Sequence, residues 1–202
     1  MSTSYIKIVM PMMFLLMAAF ILTVALKTLI GRKPLFFSSR WLFGLMCVGF
    51  LPSIMNTFLF RYTSFFSLLN PLLIIVLWGY FWFMMKGYTA FGVTDSYFRD
   101  ALLSSMSSLG YTAEESFSKL RIKETGEEFH VSIQGWMGSA QFKPVGKTNT
   151  KTTRDIAAGM NRYFATTPGK MNYSIAYLYL FLGVFLIAMC IGLSTMMHGV
   201  RH

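Results

Sequence analysis

Residues 65–93 read FFSLLNPLLIIVLWGYFWFMMKGYTAFGV, and the change of pattern inside this stretch decides the fold. From Phe65 to Met85 there is no charged side chain. A hydrocarbon core about 30 Å thick is crossed by roughly 20 apolar residues of helix, and this run meets that length. After Lys86 and Gly87 the pattern becomes an alternation, Tyr88 to Val93, which reads as a short strand opening a water-facing domain.

Working outward, three further apolar stretches appear. One runs from about Trp41 to Phe60 and is separated from the first only by Arg61, Tyr62, Thr63 and Ser64, so the two read as a tight helical hairpin. Another runs from about Ile8 to Ile30. It exceeds the roughly 7 to 15 residues of a signal-peptide core and lacks a small-x-small cleavage pattern, so it is expected to stay in a membrane. The last runs from about Tyr173 to Met196. Tyr173, Tyr177 and Tyr179 at its start, and Trp78, Tyr80 and Trp82 near the end of the quoted run, match the aromatic belt of membrane interfaces. The expected fold is a polytopic α-helical membrane protein with four transmembrane helices. Residues 1–86 carry three of them (8–30, 41–60 and 65–85), residues 87–170 form a small α+β cytoplasmic domain, and residues 171–202 hold the fourth (173–196) and a short tail.

Composition agrees. The chain is 54% hydrophobic, 17% aromatic and 13% charged, with a mean hydropathy of +0.52, a balance foreign to most soluble domains. The net charge of +10 would suggest nucleic acid in a soluble protein. Here the basic residues flank apolar segments, where they set orientation and meet anionic lipid, so no nucleic-acid partner is expected. Cys47 and Cys190 both lie in apolar stretches, which excludes a disulfide scaffold. With four spans, only Lys7, Arg61 and Arg201 of the 18 Lys and Arg fall on the face opposite the insert. The positive-inside bias then places residues 87–170 in the cytoplasm and both termini outside, in a cell inner (plasma) membrane.

The insert predicts the order β-α-β-β-β-α. Asp95 is expected to cap a helix with Phe98, Leu102, Met106 and Leu109 at helical spacing, stopped by Gly110. Strands are expected at Phe117–Lys123 and Glu128–Gln134, joined through Thr125-Gly126, and around Ser139–Phe142 after a bend at Gly135 and Gly138. Thr152 with Asp155 resembles a capping box ahead of Ile156, Met160, Tyr163 and Phe164. Ala165 to Lys170, with Pro168 and Gly169, ends that helix and returns the chain toward the bilayer.

Chemistry is nearly silent. His198 and His202 lie in the tail, which leaves His130 alone in the insert with no Cys or second His near it, so no metal site is expected and His130 reads as structural or solvent-facing. Nucleophile elbow, phosphate loop, zinc-helix motif and dinucleotide fingerprint are all missing, and no catalytic residue or cofactor is assigned. Glu114-Glu115 and Glu127-Glu128 are adjacent, so their side chains diverge in either regular structure and read as solvated charge. Asn56 and Asn70 are the amides at expected membrane depth, where packing and interhelical hydrogen bonds outrank a cavity as their role.

Two surface features remain. From Phe129 to Arg154 there is no acidic residue, while Lys143, Lys147, Lys151 and Arg154 crowd together, a candidate site for anionic lipid or another anion. Trp136 and Met137, between Gly135 and Gly138, form a candidate partner-binding turn, or one that folds back onto the sheet or dips into the interface. The leading functional expectation is a non-enzymatic integral membrane protein, a subunit or accessory factor whose cytoplasmic domain binds a protein partner or anionic headgroups. Its partners would be the bilayer and a membrane or cytoplasmic protein, or further copies of itself. The alternatives are a small oligomeric channel or transporter, for which Asn56 and Asn70 would face a wet cavity, and a membrane enzyme acting on lipid.

Overall fold

The computed structural model of the chain describes residues 2–59, 65–116, 119–146 and 149–199. In chain order the elements are α1 (Ser2–Gly31), β1 (Leu35–Ser38), α2 (Arg40–Leu59), α3 (Phe65–Met84), β2 (Tyr88–Phe91), α4 (Asp95–Ser108), β3 (Ala113–Ser116), β4 (Lys119–Ile122), β5 (Glu128–Gln134), β6 (Ser139–Val145), α5 (Thr150–Thr166) and α6 (Ser174–Gly199). They form two compact units. One holds residues 1–23, 40–85 and 179–202, the other residues 24–39 and 86–178.

The four-span expectation is overturned. Among the described residues two helical stretches are long and apolar enough to cross a bilayer: Pro11–Gly31, of 21 residues, and Ser174–Gly192, of 19 residues. In α2 and α3 the apolar stretches among the described residues, Arg40–Leu51 and Pro71–Met84, fall short of the roughly 20 residues that cross about 30 Å of hydrocarbon. The fold is mixed α+β, built on a six-stranded antiparallel sheet.

The expected strand order is corrected as well. The sheet runs β1-β2-β6-β5-β4-β3, every neighbouring pair antiparallel. Its edge strand β1, Leu35-Phe36-Phe37-Ser38, comes from the segment after α1 and pairs Leu35 with Phe91 and Ser38 with Tyr88. In the sequence those residues lie between Gly31-Arg32-Lys33-Pro34 and Ser39-Arg40, in what reads as a short basic loop between two apolar runs, too brief to signal a strand. At the other edge, β3 contains Glu114 and Glu115, whose charge masks a strand of four residues.

Helices α4 and α5 cover one face of the sheet. Alternation sends Leu120, Ile122, Phe129, Ala140 and Phe142 to that face, against Phe98, Leu102 and Met106 of α4 and Ile156, Met160 and Phe164 of α5. Burying one such large side chain contributes about 1.5–3 kcal/mol, so this cluster dominates the stability of the unit. Thr94, not Asp95, stands at the N-cap of α4, and Asp95 occupies its first turn. The N-cap of α5 is Asn149, whose side chain accepts from the Lys151 N–H at 2.9 Å. Thr152 is thus one turn inside the helix and buried, not a cap. The two helices meet where the Ser105 hydroxyl donates to the Ile156 carbonyl at 2.7 Å, opposite Gly159.

The other unit is helical. In it Leu22 of α1 fills the space above Gly183 of α6, and the Cys190 thiol donates to the Pro11 carbonyl at 3.6 Å. The Arg40 guanidinium of α2 lies 5.5 Å from the centre of the Trp82 ring of α3, and Phe43 packs edge-on to the same ring. Only 28% of the Pro11–Gly31 window and 22% of the Ser174–Gly192 window is buried inside the protein. Exposed apolar side chains continue along α3, at Leu72, Val76 and Phe83 among others.

Candidate functional site

The turn between β5 and β6 is the most tightly defined surface feature. Trp136 at its tip is 79% exposed, while Met137 beside it is half-buried. The turn is held by the chain that begins α6. Asn172 Nδ2 donates to the Gly135 carbonyl at 2.6 Å, and the Ile175 N–H donates to the Met137 carbonyl at 3.0 Å. From β2, the N–H groups of Gly92 and Val93 both donate to the Gly138 carbonyl, and Gly92 in turn accepts from the Asn172 N–H. Gly138 has φ of +72°, and a Cβ there would meet the Asn172 carbonyl oxygen at 2.6 Å, so glycine is required twice over. The Asn172 side chain also accepts from the Ser174 N–H at 2.9 Å, which supplies one of the bonds that the first turn of α6 lacks. Trp136 is therefore fixed to the start of an apolar helix whose first turns expose Tyr177 and Leu178.

The basic residues are dispersed over the domain. Lys143 lies in β6, on the sheet face turned away from α4 and α5, directly across from His130. Lys151 and Arg154 are exposed on the first turns of α5, in the helical layer. Lys147 lies outside the described residues, as do the side chains of Asn56 and Asn70. On the far side of His130 from Lys143 stands Lys119 of β4, so three basic side chains form one row across three strands. Lys119 escapes a search for basic clusters in the sequence because only strand register brings it there. Its one legible signal is the alternation Lys119, Leu120, Arg121, Ile122, exposed and buried in turn. His130 Nδ1 is buried without a hydrogen-bond partner.

The carboxylates serve local structure. Glu114 pairs with Lys123 at 3.0 Å. Glu124 accepts from the Thr112 N–H at 2.9 and 3.0 Å on its two oxygens, and that bond holds its carboxyl below the ordinary glutamate value. Glu127 accepts from the Asn149 N–H at 2.9 Å, tying the β4–β5 turn to the start of α5. Tyr97 donates to the Thr167 carbonyl at 2.6 Å across the segment that leaves α5, and burial pushes its hydroxyl pKa up. Among the described residues no group of three or more His, Cys, Asp or Glu could hold a metal ion. Comparison with protein-family models, with curated proteins and with solved structures finds no match to this chain.

Proposed function

We propose that the chain is a non-enzymatic integral membrane protein, anchored by α1 and α6, that acts as a subunit or accessory factor and presents its α+β domain to a protein partner or to anionic headgroups. The observation that carries the reading is the exposure of α1 and α6. A core helix of a soluble protein is mostly buried, whereas these apolar windows are only 28% and 22% buried. Exposed apolar surface on this scale belongs against lipid or protein. Trp136, held at the start of α6, has the amphipathic ring favoured where helix leaves bilayer. With two spans, Lys7 and Arg201 are the only Lys and Arg residues of the chain beyond them, which favours a cytoplasmic position for residues 32–173.

Gentle crosslinking in the native membrane, extraction in mild detergent and mass spectrometry of what copurifies tests this. A stoichiometric protein partner, or retained anionic lipid, should be found with the wild-type chain and lost on Trp136→Ala combined with Lys143→Ala and Lys151→Ala. A chain that leaves the membrane without detergent contradicts the reading. So does one that carries neither partner nor lipid.

A further inference from the structure

We propose that the sheet face turned away from α4 and α5 carries an oxyanion site of phosphate type, formed by Lys119, His130 and Lys143 in one cross-strand row. It rests on the reading of the domain as one that meets anionic headgroups and names the residues that would do so. Directly opposed residues on an antiparallel sheet lie about 4.5–5.5 Å apart at Cβ, so the row places three basic side chains within roughly 10 Å. Lys119 and Lys143 stand on either side of His130, two strands apart on one face. Among the described residues neither lysine is paired with a carboxylate. Glu114, the acidic residue of β3 on this face, is taken by Lys123. The next row toward the β4–β5 turn sets Arg121 against Glu128 and is balanced, so the excess positive charge is confined to the one row.

The neighbouring row is polar and tied together by hydrogen bonds. In the row on the other side, Ser132 faces Gln141, and Gln141 faces Thr89. Gln141 Nε2 donates to the Ser39 hydroxyl, which shares a hydrogen bond of 2.8 Å with Thr89. These bonds fix the amide and hydroxyls beside the cations. The ring of His130 stands between the two lysines with a buried Nδ1 that has no hydrogen-bond partner, an unfavourable state in a folded protein. A row that gathers two lysines around a ring nitrogen without a partner matches the way binding sites depart from the local logic of a fold. An oxyanion seated between the lysines is attracted by both ammonium groups.

The same chemistry reaches the site as free phosphate or as a lipid headgroup, and two arms separate them. The full chain is placed in nanodiscs of phosphatidylcholine and titrated with inorganic phosphate, while the imidazole NMR signals of His130 are followed. In the second arm, without phosphate, phosphatidylglycerol is added to the nanodisc. A saturable shift in the first arm alone identifies a soluble phosphate ligand, and one in the second alone identifies a headgroup. Lys119→Gln with Lys143→Gln should weaken the response at least tenfold with the fold intact by circular dichroism. Arg99→Gln with Arg162→Gln, which removes the same charge from α4 and α5, should leave it unchanged. No saturable shift in either arm, or equal weakening in both double variants, overturns the proposal. Release of the chain from membranes by alkaline carbonate would instead overturn membrane anchoring, so the two failures are distinguishable.

Discussion

At the scale of single residues the closest constraint is where α4 crosses α5. A Cβ on Gly159 would overlap the Ser105 hydroxyl, which is itself bonded to Ile156. On an exposed helix, replacing glycine by alanine gains about 1 kcal/mol of helix propensity. Here that gain is opposed by overpacking, which costs about 1–3 kcal/mol, and by loss of the Ser105 bond. Gly159→Ala should therefore lower the Tm of the domain despite the better helix former. Adding Ser105→Ala should recover part of the loss, because the overlapping oxygen is gone. Equal or raised stability in the single variant would show that the helices separate without cost.

At the scale of elements, periodicity made most of the α+β domain readable before the structure. The helix carrying Phe98, Leu102 and Met106, the strand 128–134, the start of the strand at Ser139 and the stripe Ile156, Met160, Phe164 lie where their spacing put them. What escaped shares one cause: a pairing made at long range leaves little local trace. β1 is four residues long and sits in a short basic loop between Pro34 and Ser39, so only its register with β2 identifies it. Asn149 caps α5 with no carboxylate three residues on, while Thr152 and Asp155 imitate the motif one turn late. The cationic row was half visible, since Lys143 stood out by composition, but Lys119 and His130 join it only through strand register. Asn172 was invisible for the same reason, and it carries a prediction. Asn172→Ala removes the bond to Gly135 and the acceptor for Ser174, each worth roughly 1 kcal/mol, and should free the β5–β6 turn from α6. Hydrogen exchange at residues 135–138 should then rise while that of α4 and α5 is unchanged. Unaltered exchange at the turn would mean that the Ile175 and Gly92 bonds hold it alone.

At the scale of the whole molecule, hydropathy counted four stretches, and among the described residues the structure supplies two that are long enough. Composition, which spoke for a membrane, is carried by the outward faces of α1, α3 and α6. The segment between α1 and α6 contains both the sheet and most of the basic residues, so its side of the bilayer is the central claim. The most direct test is labelling of a single cysteine at Thr125, in the exposed β4–β5 turn, in a chain with Cys47→Ser and Cys190→Ser. A maleimide that cannot cross membranes should label it in inverted inner-membrane vesicles and not in intact cells. Labelling in intact cells would contradict the account.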